Sequence, residues 1–394
     1  MKMYKSFAWN TRLAINGGES VRRRTLPYGR HCITEADIDA VAKVMRSDHL
    51  TSGPVAEAYE AAFAEYVGTR YAVAVSSGTA ALHCALKSVG VGAGDEVITT
   101  PITFCATANA IEYCGGRVVF DDVRADTLNL KDTRSRQRDG APRLPITLPI
   151  DFAGVPGVWT MMIDGNPLIV DCAHSLGASR KGVKAGARGT ASTFSTHPCK
   201  GTTTGEGGMV TTDDEGVAQF CREFRNVGRR GQEMAMLGYN YTLSDINCAL
   251  GLSQLKRIDD SVRMRAKIAR RYDEALARDE RIELPTVPDN CTSSWHLYVI
   301  RLNLDKLGGT TRDQIVDALR AEGIGVAVHY RPVYHHPYYQ AKGYVRGLCP
   351  VAEREAERVI SLPIWPGMAE VDVEDTVTAL RKVLGAYERE IPCK

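Results

Sequence analysis

Residues 71–123 read YAVAVSSGTAALHCALKSVGVGAGDEVITTPITFCATANAIEYCGGRVVFDDV. Three short apolar runs, YAVAVS, DEVITT and RVVFDDV, read as β-strands. Between them, TAALHCALKSVG and ATANAIEYCGG read as helices that run into glycine. Strands alternating with helices in this way predict a mainly parallel sheet covered on both faces. Ligands of such sheets gather beyond the carboxyl ends of the strands, where SSGT (76–79) and TPITF (100–104) stand.

The same rhythm continues outward. Downstream, ITLPIDF (146–152), PLIVDCA (167–173), ASTFSTH (191–197) and GMVTTD (208–213) read as further strands, and DCAH and STHPCK again fall at strand ends. Upstream, residues 1–30 read as an irregular arm broken by Gly17-Gly18, Pro27 and Gly29. Thr34 can cap a helix in which Asp37 falls three residues later and Ile38, Val41, Val44 and Met45 make an apolar stripe. A second helix, VAEAYEAAFAEYVG (55–68), stops at Gly68. One long helix is expected over residues 244–278, bridging into a smaller domain. That domain should hold strands around HLYVIRL (296–302) and GVAVHYR (325–331), with helices around 311–323 and 373–390. The expected organisation is an arm (1–30), a large domain (31–255) and a small C-terminal domain (256–394).

At 394 residues, 44% hydrophobic and 24% charged, the chain has room for two cored domains. Lysine and arginine number 49 against 47 acidic residues, a net charge of +2, so nothing calls for nucleic acid or an anionic membrane. Arg22-Arg23-Arg24 and Arg229-Arg230 are short, lack interleaved aromatics and read as solvated faces. The eleven cysteines include no C-x-x-C pair. Cys84, Cys105, Cys114, Cys172 and Cys248 sit in apolar runs, where a free thiol behaves as a small hydrophobe. No signal-peptide core and no run of about 18 apolar residues is seen, and a cytoplasmic protein without a metal site is expected.

Four constellations could carry chemistry. Ser76-Ser77-Gly78-Thr79 lies between a strand and a helix, where backbone N–H groups make an anion site; alone, it reads more readily as a simple cap. Asp171 leaves the apolar strand LIV, and a carboxylate there is costly unless paired. Such an anion would keep a pyridine nitrogen protonated, as pyridoxal 5'-phosphate (PLP) chemistry needs; a helix-capping aspartate is the plain alternative. Lys200, in FSTHPCKGTTTGEGG (194–208), follows a strand and precedes threonines and glycines that disfavour a helix. A lysine desolvated beside a cationic ring has the lowered pKa that Schiff-base chemistry requires. Ser195, at the same strand end, could bind a phosphate oxygen, and residues 202–208 would pack the loop tightly. Phe104 could stack on a flat ring or simply fill the core.

Taken in order, SSGTAALHCAL, GDEVITTPITFCATANAI, DCAHSLGA, FSTHPCKGTTTGEGG, LGYNYTLSDINCALGLSQLKRID, SSWHLYVIRL and HYRPVYHHPYY resemble the DegT/StrS-type sugar aminotransferases across about residues 26–384. The resemblance implies a fold-type I, aspartate-aminotransferase-like α/β transferase, with a mainly parallel seven-stranded sheet and a smaller C-terminal α/β domain. It implies PLP as cofactor, L-glutamate as amino donor, a nucleotide-linked keto-sugar as acceptor, and a homodimer with shared active sites. By motif, Lys200 would form the Schiff base and shuttle the proton, and Asp171 would pair with the pyridinium. Phe104 would stack on one ring face and His174 would stand near the ring hydroxyl. Ser77, Gly78, Thr79 and Ser195 would hold the phosphate, joined by Asn240 from the neighbouring subunit. His329 matches a substrate-side histidine, with Tyr28, the Thr51-Ser52-Gly53 turn and Arg331 as further sugar-nucleotide candidates.

LPYGRHCITEADI, SDHLTSGP and HYRPVYHHPYY are most similar to the pseudaminic-acid branch of the family, which aminates C4 of a UDP-linked 4-keto-6-deoxy-N-acetylhexosamine. The INGGESVRR arm also resembles aminocyclitol and other deoxysugar members. Related sugar dehydratases replace the lysine with histidine, so Lys200 counts against that reading. Lys200 and Asp171 together count against a non-catalytic PLP-binding protein. Two departures from the family pattern stand out. The span from Phe152 to Asp171 is short, so a stunted helix or a loop is expected around PGVWTMMIDGNP (156–167). Thr196 also replaces the phenylalanine common before the histidine.

Overall fold

The structure, a computed structural model, describes residues 12–131, 146–158 and 166–388. Seven strands follow one another in the first part of the chain: β1 (Tyr71–Val75), β2 (Glu96–Thr99), β3 (Arg117–Phe120), β4 (Ile146–Leu148), β5 (Ile169–Asp171), β6 (Ala191–Ser195) and β7 (Gly208–Thr212). A four-stranded group, β1-β7-β6-β5, meets a three-stranded group, β4-β2-β3, through parallel bridges from Thr147 to Leu168 and from Ile150 to Asp171. The result is a seven-stranded sheet in which only β7 runs against its neighbours. β6 and β7 are joined by a link, residues 196–207, that forms no crossover helix, and the pair is antiparallel, whereas parallel pairs need a crossover. Lys200 lies in that link. The inner strands are buried on both faces, so their sequences read as continuous apolar runs.

Helices α1 (Glu35–Met45), α2 (Pro54–Val67), α3 (Gly78–Ser88), α4 (Cys105–Tyr113) and α5 (Glu215–Phe224) precede the two that replace the single long helix expected over 244–278. These are α6 (Asp245–Leu255) and α7 (Ile258–Leu276), broken at Lys256-Arg257. The break has a polar cause. Arg257 turns aside to reach Asp37 (2.5 Å), and Asp259 and Asp260 favour a fresh helix start. Asp37 is more than a cap residue: fully buried, it also accepts from Ser253 (2.7 Å) and Gln254 (2.9 Å), tying α1 to α6. As for the crossover at 156–167, residues 159–165 lie outside the described residues.

A second apolar core gathers α7, α8 (Arg312–Ala321), α9 (Glu370–Tyr387) and an antiparallel sheet of β8 (Ile282–Glu283), β9 (Tyr298–Leu302) and β10 (Val359–Leu362). The expected strand GVAVHYR is not one. Ile324 bridges Leu26 of the arm, Ala327 bridges Ser361 of β10, and no continuous ladder forms. The chain here changes partners within three residues and then leaves the sheet. The arm is anchored at the same place: buried Glu322 accepts from the backbone N–H groups of Ala14 (2.8 Å) and Val21 (3.1 Å) and pairs with Lys382 (2.9 Å). Among the described residues, no helix is long and apolar enough to cross a membrane.

Candidate active site

The carboxyl ends of β1, β5 and β6 open into a cavity of about 730 Å3, and eleven of the residues singled out by sequence line it: Tyr28, Ser77, Gly78, Thr79, Phe104, Asp171, His174, Ser195, Lys200, His329 and Arg331. Ser77 caps α3 by accepting from the Ala80 N–H (3.1 Å). The next residue must be glycine, because a Cβ at Gly78 would lie 2.7 Å from the Ser195 Cβ. This close approach puts the start of α3, the Thr79 side chain and Ser195 around one small space, a cradle suited to a phosphate.

Asp171, buried at the end of β5, accepts from the Ala173 N–H (3.0 Å) and the Thr107 hydroxyl (2.9 Å). Burial raises its pKa, while those two bonds and the nearby Lys200 act the other way. Burial also lowers the Lys200 pKa, against the pull of Cys199 and Asp171. Phe104, at the start of α4, is 59% exposed and offers its ring to the cavity. A phosphate cradle, a buried carboxylate and a desolvated amine around one space are the donor set that PLP requires, so these residues fit the cofactor implied by sequence. Among the described residues, no cluster of His, Cys, Asp or Glu could hold a metal ion.

The link around Lys200 is packed as expected. Thr202, Thr203 and Thr204 are buried. Thr196, the departure from the family pattern, shares a hydrogen bond with the Thr204 hydroxyl (2.6 Å). This hydroxyl bridge fastens the start of the link to its middle. Cys84, Cys114, Cys172 and Cys248 are buried free thiols, whereas Cys105 is only partly buried and lines the cavity.

His174 is engaged on both nitrogens. The Ala153 N–H donates to Nδ1 (3.3 Å), from a turn in which Ala153 itself takes φ 56°. An acceptor at Nδ1 puts the ring proton on Nε2, 3.1 Å from the Tyr330 hydroxyl. Burial, then Lys200 and His329, hold the His174 pKa well below the usual histidine value, so the ring is neutral. With His174 donating to its oxygen, the Tyr330 hydroxyl keeps its own hydrogen for another acceptor. His329 is held by Ser361 (Nδ1 to Oγ, 2.7 Å), and burial and Lys200 push its pKa down to about 4.

Sequence reasoning missed Tyr330, Thr107, His296 and Ser361. Tyr330, Thr107 and His296 lie inside HYRPV, TPITFCATANAI and SSWHLYVIRL, and that placement was the available signal; Ser361 carries no local signature. Four expected residues lie outside this cavity. Thr51 bridges Ser244, the Gly53 N–H donates to Asp245 (2.9 Å), and Asn240 bridges Asn226; Thr51, Ser52 and Asn240 are exposed, whereas Gly53 is buried.

Residues 31–381 match the DegT/DnrJ/EryC1/StrS aminotransferase family. The chain is 37% identical over 383 residues to the spore coat polysaccharide biosynthesis protein SpsC of Bacillus subtilis, covering 92% of this chain and 98% of that protein. PseC of Helicobacter pylori, an aminotransferase involved in the biosynthesis of pseudoaminic acid, is a structural relative at 28% identity and TM-score 0.83, with 92% of this chain and all of that one covered (100%). The PLP form of the putative sugar aminotransferase Spr1654 of Streptococcus pneumoniae matches at 26% identity and TM-score 0.83, over 93% of this chain and 100% of that one. The cavity geometry and these likenesses agree: the chain belongs to the DegT/DnrJ/EryC1/StrS aminotransferase family and is a PLP-dependent enzyme of the aspartate-aminotransferase fold.

Proposed function

We propose that this enzyme moves an amino group from L-glutamate to C4 of a UDP-linked 4-keto-6-deoxy-N-acetylhexosamine, as a step toward an amino-sugar glycan. The observation that carries the reading is one cavity with two unlike walls. One wall holds Asp171, Lys200, Ser195 and the start of α3; the other holds Tyr28, His329, Tyr330 and Arg331. PLP, when bound, supplies the electron sink for removing and adding a proton beside nitrogen. Lys200 would hold the cofactor through its Nζ and, when freed from it, would serve as the base that takes up and returns a proton. Asp171 keeps the ring nitrogen protonated, Ser77, Gly78, Thr79 and Ser195 hold the phosphate, and Phe104 covers one ring face. His329 and Arg331 offer a neutral donor and a cation to the sugar nucleotide. The C4 position and the UDP-sugar rest on the likeness to PseC; another keto-deoxysugar nucleotide is the alternative.

Purified protein should show a visible absorbance band that borohydride fixes covalently on Lys200. Loss of that band with glutamate, and its return with the UDP-keto-sugar but not with pyruvate or oxaloacetate, tests donor and acceptor together. Label on another lysine, or brisk turnover with the free keto acids alone, defeats the reading.

The exposed positions Thr51, Ser52 and Asn240 support a homodimer in which each chain completes its partner's site. Lys200→Ala chains mixed with Asn240→Ala chains should then regain activity, because each mixed dimer holds one intact site.

A further inference from the structure

Lys200 also belongs to the wall of a second cavity, of about 130 Å3, between residues 30–32, the 198–203 link and helices α6 and α7. None of the phosphate-cradle residues lines it. Three of its residues carry a buried polar atom with no hydrogen-bond partner among the described residues: Arg265 Nε, Thr202 Oγ1 and Ser261 Oγ. Arg265 is only 3% exposed, and no carboxylate among the described residues pairs with it. Its hydrogen bonds, to the carbonyls of Trp295 and His296 (3.3 Å each) and Ile364 (3.2 Å), all leave from Nη1. The Nε–Nη2 edge, the side of a guanidinium that takes both oxygens of a carboxylate, is left unused. Asp260, the one acid in the wall, pairs with Arg263, and Arg257 is already tied to Asp37. Burial draws the Arg265 pKa down to about 10, as happens to a cation buried without its anion.

We propose that this cavity binds one carboxylate, held two-pronged by the Nε–Nη2 edge of Arg265 with the Thr202 and Ser261 hydroxyls as further donors. Size restricts the ligand. A cavity of about 150 Å3 takes a benzene ring, so this space of about 130 Å3 admits a carboxylate on a short stem and not a whole sugar nucleotide. That carboxylate belongs either to a free small acid or to the amino donor reaching past Lys200; the second source rests on the transaminase reading above, the first does not.

The test uses the purified holoenzyme and measures thermal unfolding with formate or acetate against chloride at equal ionic strength. A saturable rise of about 2 °C with the carboxylates is expected. It should vanish in Ser261→Ala and in Arg265→Lys, which keeps the charge but loses the two-pronged edge. Ser261→Ala is the safer variant, since Arg265 also holds three carbonyls. An unfolding temperature that follows ionic strength alone in the wild type overturns the site, as does an undiminished formate effect in Ser261→Ala and Arg265→Lys together. The source is read from the donor half-reaction, followed by loss of the visible band. Formate competing with glutamate assigns the site to the donor's carboxylate, and formate binding that leaves the glutamate dependence unchanged assigns it to a free acid.

Discussion

The two walls of the main cavity are built in opposite ways. The cofactor wall is made of strand ends: Ser77–Thr79 after β1, Phe104 and Thr107 after β2, Asp171 and His174 at β5, and Ser195 and Lys200 at β6. β2, β5 and β6 are paired on both sides, and β1, at the sheet edge, is paired along its whole length with β7. The opposite wall comes from the arm and from residues 328–331, which form no strand. It is held at single points: Ser361 on His329 (2.7 Å), His174 on Tyr330 (3.1 Å), the His335 carbonyl on Arg331 (2.7 Å), and the Ile364 N–H on the Tyr28 carbonyl (3.1 Å). A wall fixed by ladders keeps a cofactor in register, whereas a wall fixed by isolated bonds can be retuned for a different sugar without touching the chemistry. That contrast can be broken by experiment.

The largest effect should come from the cofactor wall. Asp171→Asn keeps the shape of the carboxylate, and its partners Thr107 and Ala173 stay in reach, so the fold and much of the PLP binding should survive. An amide cannot hold a pyridine nitrogen protonated, and kcat should fall by about 10²- to 10⁴-fold in both half-reactions. Single-turnover rates with glutamate and with the keto-sugar, beside an unchanged circular dichroism spectrum, check this. Near-normal turnover would reduce Asp171 to a structural role and remove the distinction between the walls.

Each wall also shelters a neutral histidine. His83, on α3 behind the phosphate cradle, is ringed by Tyr113, Phe224, Tyr239 and Tyr241, and burial, then Lys87, holds its pKa down to about 4. His329 also stands at about 4. An unfolded chain takes up a proton on histidine below about 6.5 that these folded rings refuse until about 4. The stability they contribute is therefore complete above pH 6.5 and is lost as the pH falls through 4. Asp151, pushed up to about 6 mainly by burial, works in the opposite direction, so the signal is a difference between variants. Between pH 7 and 4 the wild type should lose up to about 3 kcal/mol relative to His83→Phe, measured by denaturant unfolding. If the second wall opens before the molecule unfolds, His329→Ala should leave the curve almost unchanged. Equal effects from both variants would show the two walls to be equally rigid.

The same contrast explains what the amino-acid sequence disclosed. Every cofactor-side residue of the cavity follows closely on a sheet strand, and local patterning reports such strand ends directly: SSGT, DCAH and FSTHPCK each announce one a few residues away. The second wall is assembled by partners far apart in sequence, Tyr28 beside His329 and Ser361 beneath it, and no local pattern carries that information. The misread strand at GVAVHYR has the same origin. Its apolar alternation is real, but it serves the arm at Ile324 and β10 at Ala327, one bridge each. The break between α6 and α7 was hidden for a related reason, since it depends on Asp37 capturing Arg257 across the fold.

His329→Ala probes the second wall alone. The ring lies against Tyr28 (5.7 Å between centroids) and is braced by Ser361. The donor half-reaction should change less than about twofold, while transfer to the keto-sugar should slow by about 10- to 100-fold, the loss expected when a buried polar contact to a substrate is left unmade. Stopped-flow traces of the visible band, run with glutamate and then with the UDP-keto-sugar, separate the two. Equal damage to both would move His329 into the cofactor shell.

The smallest expected effect falls on Tyr330, where the walls touch. The Ala153 N–H forces the His174 proton onto Nε2, so the Tyr330 oxygen is an acceptor toward His174 and its own hydrogen is free for the cavity. Burial keeps the phenol protonated by raising its pKa well above the usual tyrosine value. Tyr330→Phe removes one neutral hydrogen bond on each side of that oxygen without changing the ring that packs near Phe152 and His329. A neutral hydrogen bond contributes about 0.5–1.5 kcal/mol, so a loss of about 3- to 10-fold is expected in whichever half-reaction uses the free hydrogen. A Tyr330 that serves the cofactor should also shift the pH midpoint of the visible band, a signature that simple loss of packing would not produce. A Tyr330 that serves the sugar should leave that midpoint in place and raise KM for the keto-sugar alone. His174→Phe then completes the test. With Nε2 gone, the Tyr330 hydroxyl loses its anchor, and the double variant should be little worse than Tyr330→Phe by itself. Fully additive losses would mean that the two residues act separately and that the walls do not meet at this hydrogen bond.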